Sequence, residues 1–176
     1  PHTFENADIA SKTATNFAKE LQLILWYLGV SEANMEKGEM RVEANISIST
    51  DSKKLGTKVE VKNLNSFRSV ERAIKYELDR MTKLFENEKE AEIIQETRGW
   101  DESKQKTFSQ RKKESSEDYR YFPDPDLPKL KLHEAFDLEQ IKKELPELPE
   151  AKRAIYKKDF GIKDEDIEVY VNDLDL

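Results

Sequence analysis

Two runs of sequence decide the fold: Met-Arg-Val-Glu-Ala-Asn-Ile-Ser-Ile-Ser at 40–49, and Gly-Thr-Lys-Val-Glu-Val-Lys-Asn-Leu-Asn-Ser-Phe-Arg at 56–68. Apolar and polar side chains alternate in both runs, as expected for β-strands, whose successive side chains point to opposite faces. The mostly polar segment 50–56 then closes a hairpin. One face of this hairpin is predicted to join the core, and the other presents acids, bases and amides.

The polar face has two interpretations. A rigid platform of charged side chains suits a site for a metal ion or a phosphate. Antiparallel sheets also commonly bury one face and expose the other to water, so the same alternation is typical of a solvated face. Residues 62–66 add short polar side chains just before a helix, where backbone N–H groups suit a phosphate. Spacing alone leaves both interpretations open.

Amphipathic helices flank the hairpin. Apolar residues recur at helical spacing over 8–28, with Asn6 or Asp8 as the first cap and Gly29 at the end. A second helix is predicted to begin after Ser66. The two predicted buried stripes are Ala14, Phe17, Ala18, Leu21, Ile24, Leu25 and Leu28, then Phe67, Val70, Ile74, Leu78, Met81 and Phe85.

The remaining pattern completes an α+β prediction: an antiparallel sheet with helices packed on one face, followed by a short helical C-terminal segment. Further strands are predicted at 93–98 and 108–111. Short helices are predicted at 138–145, 150–160 and 164–171. We place a domain boundary at the Pro-Glu-Leu-Pro sequence, which gives domains 1–146 and 147–176.

Composition restricts the function classes. Charged residues make up 38% of the 176 residues, and 30 basic against 37 acidic residues give a net charge of −7. The absence of cysteine excludes disulfides, thiolate nucleophiles and cysteine zinc sites from this sequence. The longest apolar run, 21–28, is too short to cross a membrane. We expect a cytoplasmic protein without a membrane partner and, since the chain opens on Pro1, a piece of a longer protein.

A local basic run opposes the overall acidity. Residues 98–113 contain six basic side chains and two acids, so this segment is the place where a phosphate or RNA backbone could dock. Residues 112–118 lack apolar side chains and are predicted to form a mobile loop, as in lids.

Several blocks resemble the B subunit of the tRNA-dependent aspartyl/glutamyl amidotransferases. They occur in the family's order over nearly the whole chain, and the twelve-residue block at 56–67 is very specific. The blocks are Trp-Tyr-Leu-Gly-Val-Ser at 26–31, Asn-Met-Glu at 34–36, Glu-Ala-Asn-Ile-Ser at 43–47, Gly-Thr-Lys-Val-Glu-Val-Lys-Asn-Leu-Asn-Ser-Phe at 56–67, Gln-Glu-Thr-Arg at 95–98 and Asp-Tyr-Arg-Tyr-Phe-Pro at 118–123.

The resemblance implies a ligase. Members of this family use ATP and Mg²⁺ to phosphorylate the side-chain carboxylate of Glu-tRNA(Gln) or Asp-tRNA(Asn), and ammonia then displaces the phosphate. The implied partners are an amidase A subunit, which supplies the ammonia, a small C subunit and the aminoacyl-tRNA.

The resemblance also implies roles for individual residues. Glu60 occupies the position of a magnesium-binding glutamate, and Glu43 replaces a common aspartate as a second metal ligand. Glu60, Lys58 and Lys62 are the candidate catalytic residues. Candidates for ATP or substrate binding are Arg41, Asn45, Asn63, Asn65, Arg98 and Arg120.

In the family, further metal ligands lie upstream of the segment that this chain resembles, and the tRNA-gripping tail lies downstream. We therefore expect the chain to cover the second half of the catalytic cradle domain and to be inactive alone. The alternative is a non-catalytic module that docks a protein or an RNA through the ionic hairpin face.

Overall fold

A computed structural model describes residues 2–112 and 125–173. The chain forms two compact units, one made of Pro1–Gln22 and Glu32–Ser115 and the other of Leu23–Ser31 and Ser116–Leu176. The domain boundary predicted at 146/147 falls inside the second unit and stays a prediction.

The first unit contains the hairpin and most of its flanking helices. Its elements are α1 (Ala7–Tyr27, whose last turns belong to the second unit), β1 (Val42–Ile46), β2 (Val59–Leu64), α2 (Phe67–Glu86), a 3₁₀ turn (Glu90–Glu92), β3 (Glu96–Asp101) and β4 (Lys106–Lys112). β1 covers five residues of the predicted run at 40–49, and β2 begins at Val59, within the run at 56–68. β3 begins three residues later than predicted and extends to Asp101, and β4 begins two residues earlier than predicted.

The four strands form one sheet in the order β1-β2-β3-β4. β1 pairs antiparallel with β2, and β3 pairs antiparallel with β4. The central pair, β2 and β3, is parallel because α2 crosses over between them, and parallel neighbours require such a connection. The α+β class is confirmed, with a sheet that is mostly antiparallel.

The predicted helix ends are confirmed. The Asn6 side chain accepts a hydrogen bond from the Ile9 N–H at 2.9 Å at the start of α1. The Ser66 hydroxyl accepts one from the Ser69 N–H at 3.1 Å at the start of α2. Both bonds satisfy backbone donors that have no partner within the helix. Gly29 follows α1 with a φ of 63°, in the left-handed region that commonly ends a helix.

The hairpin connection depends on a close backbone contact. A Cβ atom on Gly56 would lie 1.8 Å from the carbonyl oxygen of Ile48. No side chain fits in that space, so the sequence requires glycine where the chain returns toward β2.

The core of the first unit lies between α2 and one face of the sheet. Val59, Val61 and Met81 have no exposed surface, and Trp100 is buried beside Tyr76, with ring centroids 6.2 Å apart. The other buried members of this core are Ile46, Leu64, Val70, Ala73, Ile74 and Ile93.

The predicted apolar stripe of α1 is wrong in its centre. Phe17 is 71% exposed and Leu21 is 39% exposed. The buried positions of α1 are Ala18, which belongs to the predicted stripe, and Ser11, Thr15 and Leu23, which do not. The Ser11 and Thr15 hydroxyls donate to carbonyls of the preceding turn, so these polar groups are satisfied where they are buried. Hydrophobic spacing alone therefore misassigns Phe17 and Leu21.

A charged network is buried between α2 and the sheet. Glu77, with no exposed surface, accepts hydrogen bonds from Arg80 and, at 2.7 Å, from the Thr107 hydroxyl. Arg98 lies 3.4 Å from the same carboxylate and donates to Glu96 at 2.6 Å. In the described part of the chain, every buried side-chain nitrogen and oxygen has a partner. The network thus ties α2 to β3 and β4.

The described part of the second unit contains the three predicted short helices and one helix that was not predicted, at Leu132–Ala135. It contains α3 (Leu132–Ala135), α4 (Leu138–Glu144), α5 (Pro149–Lys158) and α6 (Asp164–Val171). Ile167 and Val171 pack with Leu23 from the end of α1, and the Tyr27 hydroxyl donates to the Val171 carbonyl at 2.8 Å. Among the described residues, no helix is both long and apolar enough to cross a membrane.

Removing the buried Glu77 carboxylate is expected to be costly. Glu77→Ala leaves two arginines without their shared acceptor, and breaking a buried ion pair typically costs about 3–5 kcal/mol. Urea unfolding monitored by tryptophan fluorescence measures this free energy. Asp79→Ala, at an exposed position of the same helix, should change it by less than about 0.5 kcal/mol. Equal effects of the two substitutions would contradict a structural role for the network.

Acid should weaken the same network through Glu96. Burial raises the pKa of this carboxyl. Hydrogen bonds from Ser109 and Arg98, together with the charge of Arg98, lower it by more, so that the pKa lies below its ordinary value of 4.5. A lowered pKa in the folded state contributes stability above pH 4.5 and loses it as the pH falls through the folded-state value. We expect Glu96→Gln to flatten the decline in the free energy of unfolding below pH 4.5. An unchanged pH profile would show that Glu96 does not contribute.

Candidate functional site

The face of the sheet opposite α2 carries a cluster of polar side chains. Alternation along β2 directs Val59 and Val61 into the core and Glu60 and Lys62 to the other face. The parallel register places Thr97 of β3 beside Glu60. We call Glu43, Glu60, Lys62 and Thr97 the polar-face cluster.

Two carboxylates in this cluster share one ammonium group. The Lys62 Nζ lies 3.2 Å from Glu43 Oε1 and 3.7 Å from Glu60 Oε1. The Thr97 hydroxyl donates to Glu60 Oε2 at 2.9 Å. The Glu60 side chain is only 14% exposed, whereas those of Lys62 and Glu43 are 38% and 44% exposed. Glu60 is therefore the most restrained of the three charged members of the cluster.

The electrostatics keep Lys62 protonated. A hydrogen bond to Glu43, followed by the charges of Glu60 and Glu43, raises the pKa of the Lys62 amine above its ordinary value. At neutral pH the cluster thus holds one cation between two carboxylates. Its members can bind either sign of charge: the carboxylates a cation, and the ammonium group a phosphate or carboxylate.

A β-bulge brings Lys62 to Glu43. Val42 pairs with Leu64, whereas Ala44 pairs with Val61, so Glu43 faces two residues of β2 instead of one. One of these two residues is Asn63, which has a φ of 64°. The bulge changes the phase of the alternation and returns Leu64 to the core.

The predicted phosphate position at the start of α2 already has an anion nearby. The Glu102 carboxylate accepts hydrogen bonds from the Ser69 hydroxyl at 2.8 Å and from the Trp100 indole at 2.6 Å. These bonds, with Trp100 as the largest contribution, lower the pKa of Glu102. A carboxylate is therefore already present at the first turn of α2, where it is favoured by the helix dipole.

The other predicted site residues are distributed over several positions. Asn45 is exposed and lies directly opposite Glu60 in the β1–β2 pair. Lys58 is exposed just before β2, Arg41 just before β1, and Asn65 between β2 and α2. Their proposed roles stay predictions.

Arg98 is not brought to the polar-face cluster. It lies on the face that packs against α2, where it is 13% exposed and paired with Glu96 and Glu77. Its contacts are those of a structural residue, and its predicted role in binding ATP or substrate stays a prediction. Arg120 and the predicted loop at 112–118 lie largely outside the described residues.

The donor set can be compared with the needs of a magnesium ion. Mg²⁺ is usually held by one or two carboxylates together with substrate phosphates and water. Among the described residues, no group of three or more His, Cys, Asp or Glu side chains could hold a metal. Glu43 and Glu60 supply the one or two carboxylates that such a site uses, with the Lys62 ammonium group between them.

Two features of this face do not follow from sequence patterns. The alternation of side chains along β3 predicts which face Thr97 lies on. It does not predict that Thr97 lies beside Glu60, because alternation contains no information on the register of a parallel strand pair. Gly99 pairs with Phe108, and a Cβ at this position would lie 2.7 Å from the Phe108 ring and 2.5 Å from the Gln110 amide. The Phe108 ring, which is 42% exposed, therefore lies over Gly99, and Gly99 pairs with Lys62 in the sheet.

Comparison with known proteins gives the class: residues 5–137 match the sequence model of the GatB/GatE catalytic domain. The chain belongs to the GatB/GatE family. It is 47% identical over 171 residues to the B subunit of the aspartyl/glutamyl-tRNA(Asn/Gln) amidotransferase of Picosynechococcus sp., a match that covers 96% of this chain and 34% of the relative.

Other relatives give the same result. The protein of the same name from Herpetosiphon aurantiacus is 51% identical over 151 residues, which cover 85% of this chain and 31% of the relative. A third relative is the B subunit of the chloroplastic/mitochondrial glutamyl-tRNA(Gln) amidotransferase of Sorghum bicolor. It is 48% identical over 161 residues, which cover 91% of this chain and 29% of the relative. The chain spans about a third of the length of the curated relatives it matches.

Substitutions at Asn63 separate a backbone role from a binding role. A left-handed backbone costs a β-branched residue roughly 1–2 kcal/mol, whereas glycine adopts it readily. We expect Asn63→Val to lower the free energy of unfolding by about that amount and Asn63→Gly to change it by less than about 0.5 kcal/mol, both measured by urea unfolding. Equal losses in the two variants would contradict a role of the left-handed backbone at this position.

Proposed function

We propose that this chain is part of the B subunit of an ATP-dependent tRNA amidotransferase. The reaction converts Glu-tRNA(Gln), Asp-tRNA(Asn) or both into the corresponding Gln-tRNA(Gln) and Asn-tRNA(Asn). The observation that carries this proposal is the assembly of Glu43, Glu60 and Lys62 on one sheet face, within a chain of the GatB/GatE family.

The chemical requirement is to activate a carboxylate. Ammonia cannot form an amide by expelling oxide, so transfer of the ATP γ-phosphoryl group to the side-chain carboxylate creates a usable leaving group. Such a transfer depends mainly on positioning and on neutralising negative charge. The Lys62 ammonium group, kept charged by its two carboxylate neighbours, can supply part of that charge.

Glu60 and Glu43 are the residues that would hold a magnesium ion. When bound, this ion would neutralise charge on the phosphates of ATP. Glu60 is the principal ligand in this proposal because its side chain is largely buried and hydrogen bonded. Glu43 is longer than the aspartate common at its position and reaches Lys62 directly.

Lys58, Asn45 and Asn65 are exposed around this cluster and are proposed to contact ATP or the aminoacyl end of the tRNA. Arg41 is exposed beside β1 and is proposed for the same role. We further propose that an amidase A subunit supplies the ammonia and that a small C subunit completes a cytoplasmic assembly. The names of the relatives, as B subunits of amidotransferases, support the existence of partners.

The chain alone is proposed to be inactive, since it spans about a third of the length of its relatives and contributes only two carboxylates to the cluster. Incubation of the isolated chain with ATP, Mg²⁺, ammonium chloride and Glu-tRNA(Gln) should give no Gln-tRNA(Gln). Turnover under these conditions would contradict this part of the proposal.

Glu60→Gln tests the site in the full-length subunit assembled with its amidase partner. Ammonium chloride replaces glutamine, so that amidase activity is bypassed, and formation of Gln-tRNA(Gln) is measured. Because glutamine lacks the ligand charge, we expect the rate to fall by at least about 100-fold.

Glu86→Gln, at the exposed end of α2, is the matched control and should retain full activity. The assembly state of each variant is verified by size-exclusion chromatography. Near-normal transamidation by a folded Glu60→Gln enzyme would support the alternative, in which the ionic face only docks a protein or an RNA.

A further inference from the structure

Thr97 holds Glu60 by a contact between two different strands. Its hydroxyl donates to Glu60 Oε2 at 2.9 Å, across the parallel pair of β2 and β3. Thr97 is only 7% exposed, so this hydroxyl has little access to water. The bond occupies one carboxylate oxygen, and the other oxygen, Oε1, lies on the side of Lys62.

Threonine suits this task better than other donors of similar size. Its β-branched side chain is stiff at χ1, so the hydroxyl is held in place by the strand backbone itself. A glutamate side chain has three rotatable bonds and, without a partner, would sample several orientations on a partly exposed sheet face. The threonine hydroxyl therefore selects one orientation of the carboxylate in advance.

The same sheet contains an internal comparison. Thr107 of β4 is also buried, and its hydroxyl donates to Glu77 Oε2 at 2.7 Å on the other face. That glutamate belongs to the buried network beneath α2 and has no exposed surface. The two threonine–glutamate pairs are thus chemically alike, but only one of them lies in the polar-face cluster.

We propose that Thr97 is a positioning residue of the amidotransferase site, which orients the Glu60 carboxylate for a divalent cation. This inference rests on the proposed function, because it assigns Glu60 to the metal. Thr97 itself does not touch the metal or the substrate in this proposal. Its effect is therefore on the affinity of the metal site and on the Mg²⁺ dependence of the reaction.

The test uses four variants of the full-length subunit, assembled with its partners: Thr97→Val, Thr97→Ser, Thr107→Val and Glu60→Gln. Mn²⁺ serves as the probe, and the loss of its free-ion signal in electron paramagnetic resonance measures binding. The Mn²⁺ site at Glu60 is identified as the one that is lost in the Glu60→Gln variant. Transamidation is measured in parallel as a function of Mg²⁺ concentration.

Loss of a hydrogen bond to a metal ligand typically weakens metal affinity by about 10–100-fold. We expect Thr97→Val to show a weakening of that size and to need correspondingly more Mg²⁺ for half-maximal rate. Thr97→Ser retains the donor and should stay within about threefold of the wild-type affinity, since only the stiffness at χ1 is lost. Thr107→Val should lower the unfolding midpoint in urea while leaving Mn²⁺ affinity unchanged.

The outcomes separate the two proposals. If Glu60→Gln abolishes the Mn²⁺ site and Thr97→Val binds Mn²⁺ like the wild type, the role of Thr97 is refuted and the proposed function stands. If Glu60→Gln itself binds Mn²⁺ and turns over normally, the assignment of the site fails. If Thr97→Val does not assemble, Thr97→Ala provides the second removal of the hydroxyl and is judged by the same criteria.

Discussion

The parallel pairing of β2 with β3 is the constraint on which the rest of the first unit depends. It requires a crossover, which α2 provides, and this helix covers one face of the sheet. It also aligns Glu60 with Thr97 on one face and Val61 with Arg98 on the other. The same register thus builds the core, the buried charge network and the polar-face cluster.

The sheet carries charged side chains on both faces, but burial gives them different roles. Glu77 beneath α2 is fully enclosed, and its arginine and threonine partners satisfy it within the protein. Lys62 and Glu43 on the other face are more than a third exposed and remain accessible to a ligand. Desolvation makes the first set costly to disturb, whereas the second set can exchange partners with little cost in stability.

The polar-face cluster combines restraint with access. Thr97 restricts one oxygen of Glu60, and the bulge at Asn63 brings Lys62 to Glu43 while Leu64 stays in the core. Two carboxylates alone do not enclose a magnesium ion, so substrate phosphates or residues elsewhere in the complete subunit are proposed to finish the site. This division agrees with a chain that spans about a third of its curated relatives.

The sequence by itself determined the hairpin, the caps at Asn6 and Ser66 and the grouping of Glu60 with Lys62, because these follow from local hydrogen bonding and the two-residue period of a strand. The specific block at 56–67 also identified the family. Tertiary structure alone decided the parallel register that joins Thr97 to Glu60, because strand partners distant in sequence are not encoded by alternation. It likewise decided that Phe17 is exposed while Ser11 and Thr15 are buried, because helical spacing does not show which side chains the neighbouring elements cover.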